Sequence, residues 1–166
     1  MKTILILGAG KEQTYAIKLA NQKKIRTIVL DKNPKAEGAV YADEFYPIST
    51  RDVNQITEFL KGYNKKIDGV MTIASDIPHC VSTAAGIINV PHIPLQAAYT
   101  CIQKLNMKKV LRDGKVNVPD FSQIKSSKEL AAFIADASYP VVIKPVDNSG
   151  ARGVLRITKD TDLQWA

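Results

Sequence analysis

The chain has 166 residues, 45% of them hydrophobic and 23% charged, a balance that suits one full domain or one domain plus part of another and excludes a disordered tail. Lys and Arg outnumber Asp and Glu by 23 to 16, a net charge of +7 that favours anionic ligands, yet the two signs are interspersed along the whole length. There is no Lys/Arg-rich block, zinc-finger spacing or aromatic RNA-binding strand motif, and no run of about 18 apolar residues, so neither nucleic acid nor a membrane is an expected partner.

In chain order, Thr3–Leu7 reads as a buried strand, Gly8-Ala9-Gly10 as a turn, and residues 14–22 as a helix with Tyr15, Ile17, Leu19 and Ala20 available for its inner side. The apolar opening stops after Leu7 and gives way to Lys11, Glu12, Gln13 and Thr14, which argues against a secretory signal and for a cytoplasmic protein. Residues 26–31 form the second strand of a βαβ unit. Asn33-Pro34 opens a loop, residues 44–48 are a strand, and Asp52 caps a helix running to Tyr63. A strand over 70–73 and a helix over 77–87, with Pro78 in its first turn, follow. Residues 1–95 thus alternate β and α and predict an open, doubly wound parallel α/β sheet of Rossmann-like type.

From residue 96 to 166 the pattern changes to an incomplete α+β arrangement. A lysine-rich helix over 102–112 ends at Asp113-Gly114, a strand over 118–124 is broken by Pro119, and a helix over 126–136 carries Ser126 and Glu129 in a capping-box pattern. Val141, Val142 and Ile143 form a β-branched strand that should carry Lys144 at its end, stem packed and ammonium directed into a cleft. A return strand starts near Val154, and residues 160–166 begin a further helix. The boundary between the two portions is expected between Val90 and Ile102.

Three places carry candidate chemistry. Asn148, Ser149, Gly150, Ala151, Arg152 and Gly153 offer backbone N–H groups, a hydroxyl and a guanidinium directly after Lys144, a set that suits the phosphates of a nucleoside triphosphate. The surrounding strand, loop, strand order describes a hairpin flap and differs from a Walker phosphate loop, whose GxxxxGK[ST] string is absent. The same residues also suit an ordinary hairpin turn with a solvated lysine. Gly8 and Gly10, between a strand and a helix, can place an anion at a helix N-terminus, and Asp31 resembles the acid that holds a ribose in dinucleotide folds, which together suggest an NAD(P) oxidoreductase. Gln13 stands at the third glycine position of that fingerprint, and a tight βα turn without a ligand explains the glycines as well. Asp76, after the strand over 70–73, suits either an amine or sugar hydroxyl or the N-cap of the next helix. Cys80 and Cys101 belong to no CxxC pair, adjacent His79 and Cys80 should point in different directions, and His92 sits in a rigid PHIP loop.

Three segments, in order, resemble the ATP-grasp ligases. ILILGAGKEQTYAIKLA followed by TIVLDKNPKAEGAVYADEFY is similar to the family's N-terminal domain. QKLNMKKVLRDGKVNVPDF resembles its DK-x-x-M helix and Pro-containing strand, and YPVVIKPVDNSGARGV its strand lysine and phosphate-covering loop. The likeness implies a pre-ATP-grasp domain over 1–95 and the start of an ATP-grasp domain over 96–166. It implies that Lys104 and Lys144 contact ATP phosphates, that Ser149, Gly150, Ala151, Arg152 and Gly153 close over the triphosphate, and that Gly8, Gly10 and Asp76 lie where the non-nucleotide substrate binds. Gln103 replaces the family's usual aspartate. The implied chemistry is ATP-dependent activation of a carboxylate as an acylphosphate and its capture by an amine, with Mg2+ held by ligands beyond residue 166. On this reading the chain is the N-terminal piece of a longer ligase, inactive by itself and without catalytic residues of its own, with small-molecule carboxylate and amine substrates and homodimeric assembly as one option. The alternatives are the NAD(P)-dependent oxidoreductase and a non-catalytic nucleotide-binding module.

Overall fold

β1 (Thr3–Leu7), α1 (Lys11–Gln22) and β2 (Arg26–Leu30) form a βαβ unit in which Thr3 pairs with Arg26 and Leu7 with Leu30 in parallel register. Parallel strands need a crossover, which α1 supplies. β3 (Glu44–Tyr46) joins the outer edge of β2. The chain then returns through α2 (Val53–Gly62) to place β4 (Gly69–Met71) on the other side of β1, giving the order β3-β2-β1-β4. Strand addition therefore reverses at β1, and a crevice opens beyond the carboxyl ends of the strands at that point. α3 (Pro78–Ile87) and α4 (Leu95–Ile102) complete this unit, Met1–Ile102. The computed structural model describes residues 1–163.

Alternation along β1 and β2 divides the core. Leu5, Leu7, Ile28 and Leu30 pack on Ile56 and Leu60 of α2 and on Cys80 and Ala84 of α3. Ile6 and Val29, of opposite parity, pack on Ile17 of α1 and on Ala36. Helices thus cover both faces of the sheet, as the doubly wound pattern predicts, and each fully buried Leu or Ile contributes about 1.5–3 kcal/mol.

The helix limits follow local chemistry. Asp52 caps α2, its carboxylate accepting the N–H groups of Asn54 and Gln55 at 3.0 Å each. α1 starts earlier than the sequence suggests, because Gly10 takes extended backbone as its N-cap. With that phase Tyr15, expected inside, is 73% exposed, and Gln13, Thr14, Ala16, Ile17 and Ala20 are the buried set. Leu95–Ile102, to which the sequence reading assigned no element before residue 102, is helical, with Ala98 buried. Gln103, in extended backbone, then separates it from the next helix.

The second unit starts at Gln103. It contains α5 (Lys104–Asp113), α6 (Ser127–Asp136) and an antiparallel hairpin of β5 (Val141–Ile143) and β6 (Leu155–Ile157), with Val141 opposite Ile157 and Ile143 opposite Leu155. Its core is Leu130, Ile134 and Ile157, surrounded by Ile124, Tyr139, Val141, Ile143 and Leu155. Ser126 caps α6 by accepting the Glu129 N–H at 3.2 Å, whereas the Glu129 carboxylate reaches past the cap to the Lys125 N–H at 2.8 Å. The strand expected over 118–124 does not form. Pro119 removes a ladder donor, and the Phe121 ring lies 5.1 Å from the Lys108 ammonium and 5.0 Å from the Arg112 guanidinium. Of the helix expected over 160–166, residues 160–163 are not helical and the rest lies outside the described residues.

Candidate functional site

In the first unit the glycine turn is locked from within. Gly8 takes φ +113°, a value L side chains rarely adopt, and donates its N–H to the Leu30 carbonyl at 2.8 Å. The Ala9 N–H donates to one carboxylate oxygen of Asp31 at 2.8 Å, and the other oxygen accepts the Asn33 N–H at 2.9 Å. Asp31, whose place at the end of β2 suggests a ribose ligand, therefore spends both oxygens on backbone. It fastens the turn instead. The Ala9 carbonyl accepts the Gly38 N–H at 2.7 Å, tying the loop before β3 to the same turn.

Gln13 governs what remains of the crevice. Its side chain lies under both glycines: a Cβ built on Gly8 would meet Gln13 Cδ at 3.1 Å, and one on Gly10 would meet Gln13 Oε1 at 3.1 Å. The residue is 6% exposed, and its amide Nε2 donates to the Ile73 carbonyl just past β4. In a dinucleotide fold a glycine here lets helix and strand approach; here the space is filled by a glutamine amide bridging β1's turn to β4. The sequence shows Gln13 only as a missing glycine. Asp76 is exposed, and the N-cap position of α3 is Ile77 with no side-chain cap, so Asp76 does not cap that helix. Thr72, just past β4, donates its hydroxyl to the Leu7 carbonyl at 2.7 Å.

In the second unit, Lys104 and the loop after Lys144 come together. Lys104 is the first residue of α5; its N–H donates to the Val146 carbonyl at 2.8 Å and its ammonium to the Asn148 carbonyl. Arg152 folds back, its Nε donating to the Ser149 carbonyl at 3.1 Å, and Asn148 Oδ1 accepts the Ser149 N–H at 3.2 Å. Gly150, Ala151 and Gly153 all take left-handed φ, which turns the loop on itself. Asn148 thus emerges as the partner of Lys104, a role its turn-forming residue type does not announce. Lys144 departs from expectation: it is exposed. Alternation explains this, since Val141 and Ile143 face the core while Val142, 57% exposed, and Lys144 share the outward face.

The Lys104 ammonium and the Arg152 guanidinium are thus held by neutral carbonyl oxygens. Among the described residues no group of three or more His, Cys, Asp or Glu side chains could hold a metal ion.

Cys80 and Cys101 are free thiols, the first buried and the second exposed. His79 and Cys80, expected to diverge, have Nε2 and Sγ 3.3 Å apart. Burial holds the Cys80 thiol above its ordinary value and the His79 imidazole below its own. The pair is therefore neutral near pH 7 and is no thiolate nucleophile. His92 Nδ1 lies 2.8 Å from the Val90 carbonyl oxygen within its loop.

No family model matches the chain. It is 27% identical over 166 residues to 3-methyl-D-ornithine--L-lysine ligase of Methanosarcina barkeri, covering 99% of this chain and 42% of that protein. It is 25% identical over 168 residues to the formate-dependent phosphoribosylglycinamide formyltransferase of Burkholderia mallei, covering 98% and 41%. The chain thus spans about two fifths of the length of the curated relatives it matches. In fold it is similar to the N5-carboxyaminoimidazole synthetase of Staphylococcus aureus solved with ADP, with a TM-score of 0.78 and 21% identity over 99% of this chain and 43% of that one. No helix among the described residues is long and apolar enough to cross a membrane.

Proposed function

From the premise that its relatives are ATP-grasp ligases aligned through their N-terminal portion, we propose that this chain supplies phosphate-binding and substrate-binding elements of an ATP-dependent carboxylate-amine ligase. The observation that carries the reading is the convergence of the Lys104 ammonium on the loop that follows Lys144. Two residues 44 positions apart in sequence, Lys104 and Asn148, are joined at the point where the resemblance puts the triphosphate.

In the proposed reaction ATP supplies the phosphoryl group: a substrate carboxylate oxygen attacks the γ-phosphorus and ADP leaves. An amine nitrogen then attacks the acyl carbon, and inorganic phosphate leaves with the bonding pair. Lys104, Lys144 and Arg152 act by position and charge, the main protein contribution to phosphoryl transfer. On ATP binding, Lys104 and Arg152 exchange the Asn148 and Ser149 carbonyls for phosphate oxygens, and the loop Ser149, Gly150, Ala151, Arg152, Gly153 is released to cover them. Gly8, Gly10 and Asp76 border the place for the small-molecule substrate. The oxidoreductase reading is disfavoured because both Asp31 carboxylate oxygens accept backbone N–H groups and Gln13 fills the place of the third glycine.

Calorimetric titration of the chain with ATP, and separately with NADH, tests the assignment. ATP binding is expected to weaken at least fivefold in both Lys104→Ala and Lys144→Ala, with no NADH binding. Unchanged ATP affinity in both variants would sink it.

A further inference from the structure

Alternation divides the hairpin of the second unit into two faces of different kinds. Val141, Ile143 and Leu155 pack on Leu130, Ile134 and Ile157, which leaves Val142, Lys144, Val154 and Arg156 on the outer face, all four exposed. Val142 stands opposite Arg156, and one further step of the same register sets Lys144 beside Val154, next to the loop. The four side chains therefore form a crossed pattern, with the valines on one diagonal and the cations on the other. Diagonal neighbours of this kind, about 7–8 Å apart, lie within reach of each other's long side chains. Lys104 and Arg152 are held by the Asn148 and Ser149 carbonyls, whereas Lys144 and Arg156 form no hydrogen bond or ion pair through their side chains among the described residues. Two neighbouring cations without a paired acid raise the local positive potential and favour an anion between them. The valines add a second sign that this face is covered. The solvent side of a half-buried hairpin ordinarily carries polar residues, yet Val142 is 57% and Val154 42% exposed.

We propose that Arg156 is a further nucleotide-binding residue, which meets, together with Lys144, the phosphate nearest the nucleoside. The order along the face carries the assignment. Lys104 and the loop stand at one end, Lys144 follows, and Arg156 lies one residue pair further from the loop. A triphosphate with its terminal groups at the loop brings its innermost phosphate between Lys144 and Arg156, and the flat apolar surface of the nucleoside covers Val142 and Val154. The inference rests on the proposed ATP-binding role of Lys144 and adds a residue to that site.

Calorimetric titration of the 166-residue chain with ATP and with AMP, repeated on Arg156→Met and Arg156→Lys, tests it. AMP carries the innermost phosphate alone, so Arg156→Met should weaken ATP and AMP by the same factor, about fivefold or more, as expected for loss of a charge-assisted contact. Arg156→Lys keeps the charge and should hold both affinities within about twofold of the unaltered chain. Unchanged ATP and AMP affinities in Arg156→Met, a loss for ATP without one for AMP, a loss that Arg156→Lys does not recover, or no AMP binding by the unaltered chain would each overturn the assignment. The first of these outcomes with Lys144→Ala still weakening ATP would leave the ligase reading standing, whereas absence of ATP binding by the unaltered chain would sink both.

Discussion

A Cβ added at Gly38 would lie 2.8 Å from Cδ1 of Ile17 and 2.9 Å from the Ala9 carbonyl oxygen, closer than real Cβ atoms approach, and the second of these neighbours is backbone that cannot swing aside. Gly38→Ala should therefore destabilise the first unit by about 1–3 kcal/mol, read as a lower urea midpoint at unchanged slope. Gly62→Ala, where nothing lies within 4 Å of the added atom, should be neutral or stabilising by up to about 1 kcal/mol. Equal losses at the two positions would show that the packing at Gly38 is not what matters. Such tight spots are hard to read from the chain, because Gly38 has no strand-and-turn context to mark it. Gln13 and Asn148 hide for a related reason: Gln13 donates to the Ile73 carbonyl and Asn148 offers its own carbonyl to Lys104, each contact made with a residue far away in sequence. As candidates for phosphate contact, Lys104, Lys144 and the glycines of the loop were legible because their residue types suggest that chemistry. The exposure of Lys144 was not, since it depends on which parity of a three-residue strand faces the core.

Among the elements, the strands of the parallel sheet were readable because their apolar runs are continuous, and α2 and α6 because Asp52 and Ser126 mark their starts. α4 was missed where prolines precede it, and the strand over 118–124 was overread from its apolar residues. β3 shows what holds a short edge strand. Glu44, only 14% exposed, accepts hydrogen bonds from the Tyr46 hydroxyl at 2.8 Å, the Tyr63 hydroxyl at 3.1 Å and the Lys65 ammonium at 2.9 Å, and it also pairs with Arg26. Burial pushes this carboxyl upward, but the bonds from Lys65, Tyr46 and Tyr63 outweigh it and bring it down to about 2 from an ordinary 4.5. A depressed carboxyl stabilises the fold above its unfolded value, and the contribution is lost as pH falls from about 4.5 to about 2. Tyr63 works in the opposite sense: burial and its bond to Glu44 raise it from 10.0 to about 12, so its contribution is lost as pH rises through that range. Urea midpoints measured against pH should fall across both windows. Glu44→Gln should lower the midpoint at pH 7 and flatten the acid limb; an acid limb as steep as the parent's would assign the loss to other carboxylates.

At the scale of the whole molecule, the two units differ in what they have to stand on. The first buries its sheet between two apolar layers, whereas the core of the second is, among the described residues, Leu130, Ile134 and Ile157 beneath a two-stranded hairpin. Two strands form little independent structure in water, and so small a core adds only a few kcal/mol. The same unit carries Lys104, Lys144 and Arg152, and eleven of the 23 Lys and Arg residues against seven of the 16 Asp and Glu. A ligand that binds only its folded form adds stability by mass action, about 2.7 kcal/mol at a free concentration one hundred times its dissociation constant. ATP should therefore slow amide hydrogen exchange in β5, β6 and α6, up to about one hundredfold where exchange requires the unit to open. Raising the salt from about 0.05 to 0.5 M should reduce that protection, because exposed cations on phosphate are screened. Lys104→Ala should reduce it in the same segments. Protection that is insensitive to salt and to Lys104, with ATP binding still measurable, would place the triphosphate away from the loop and its two lysines.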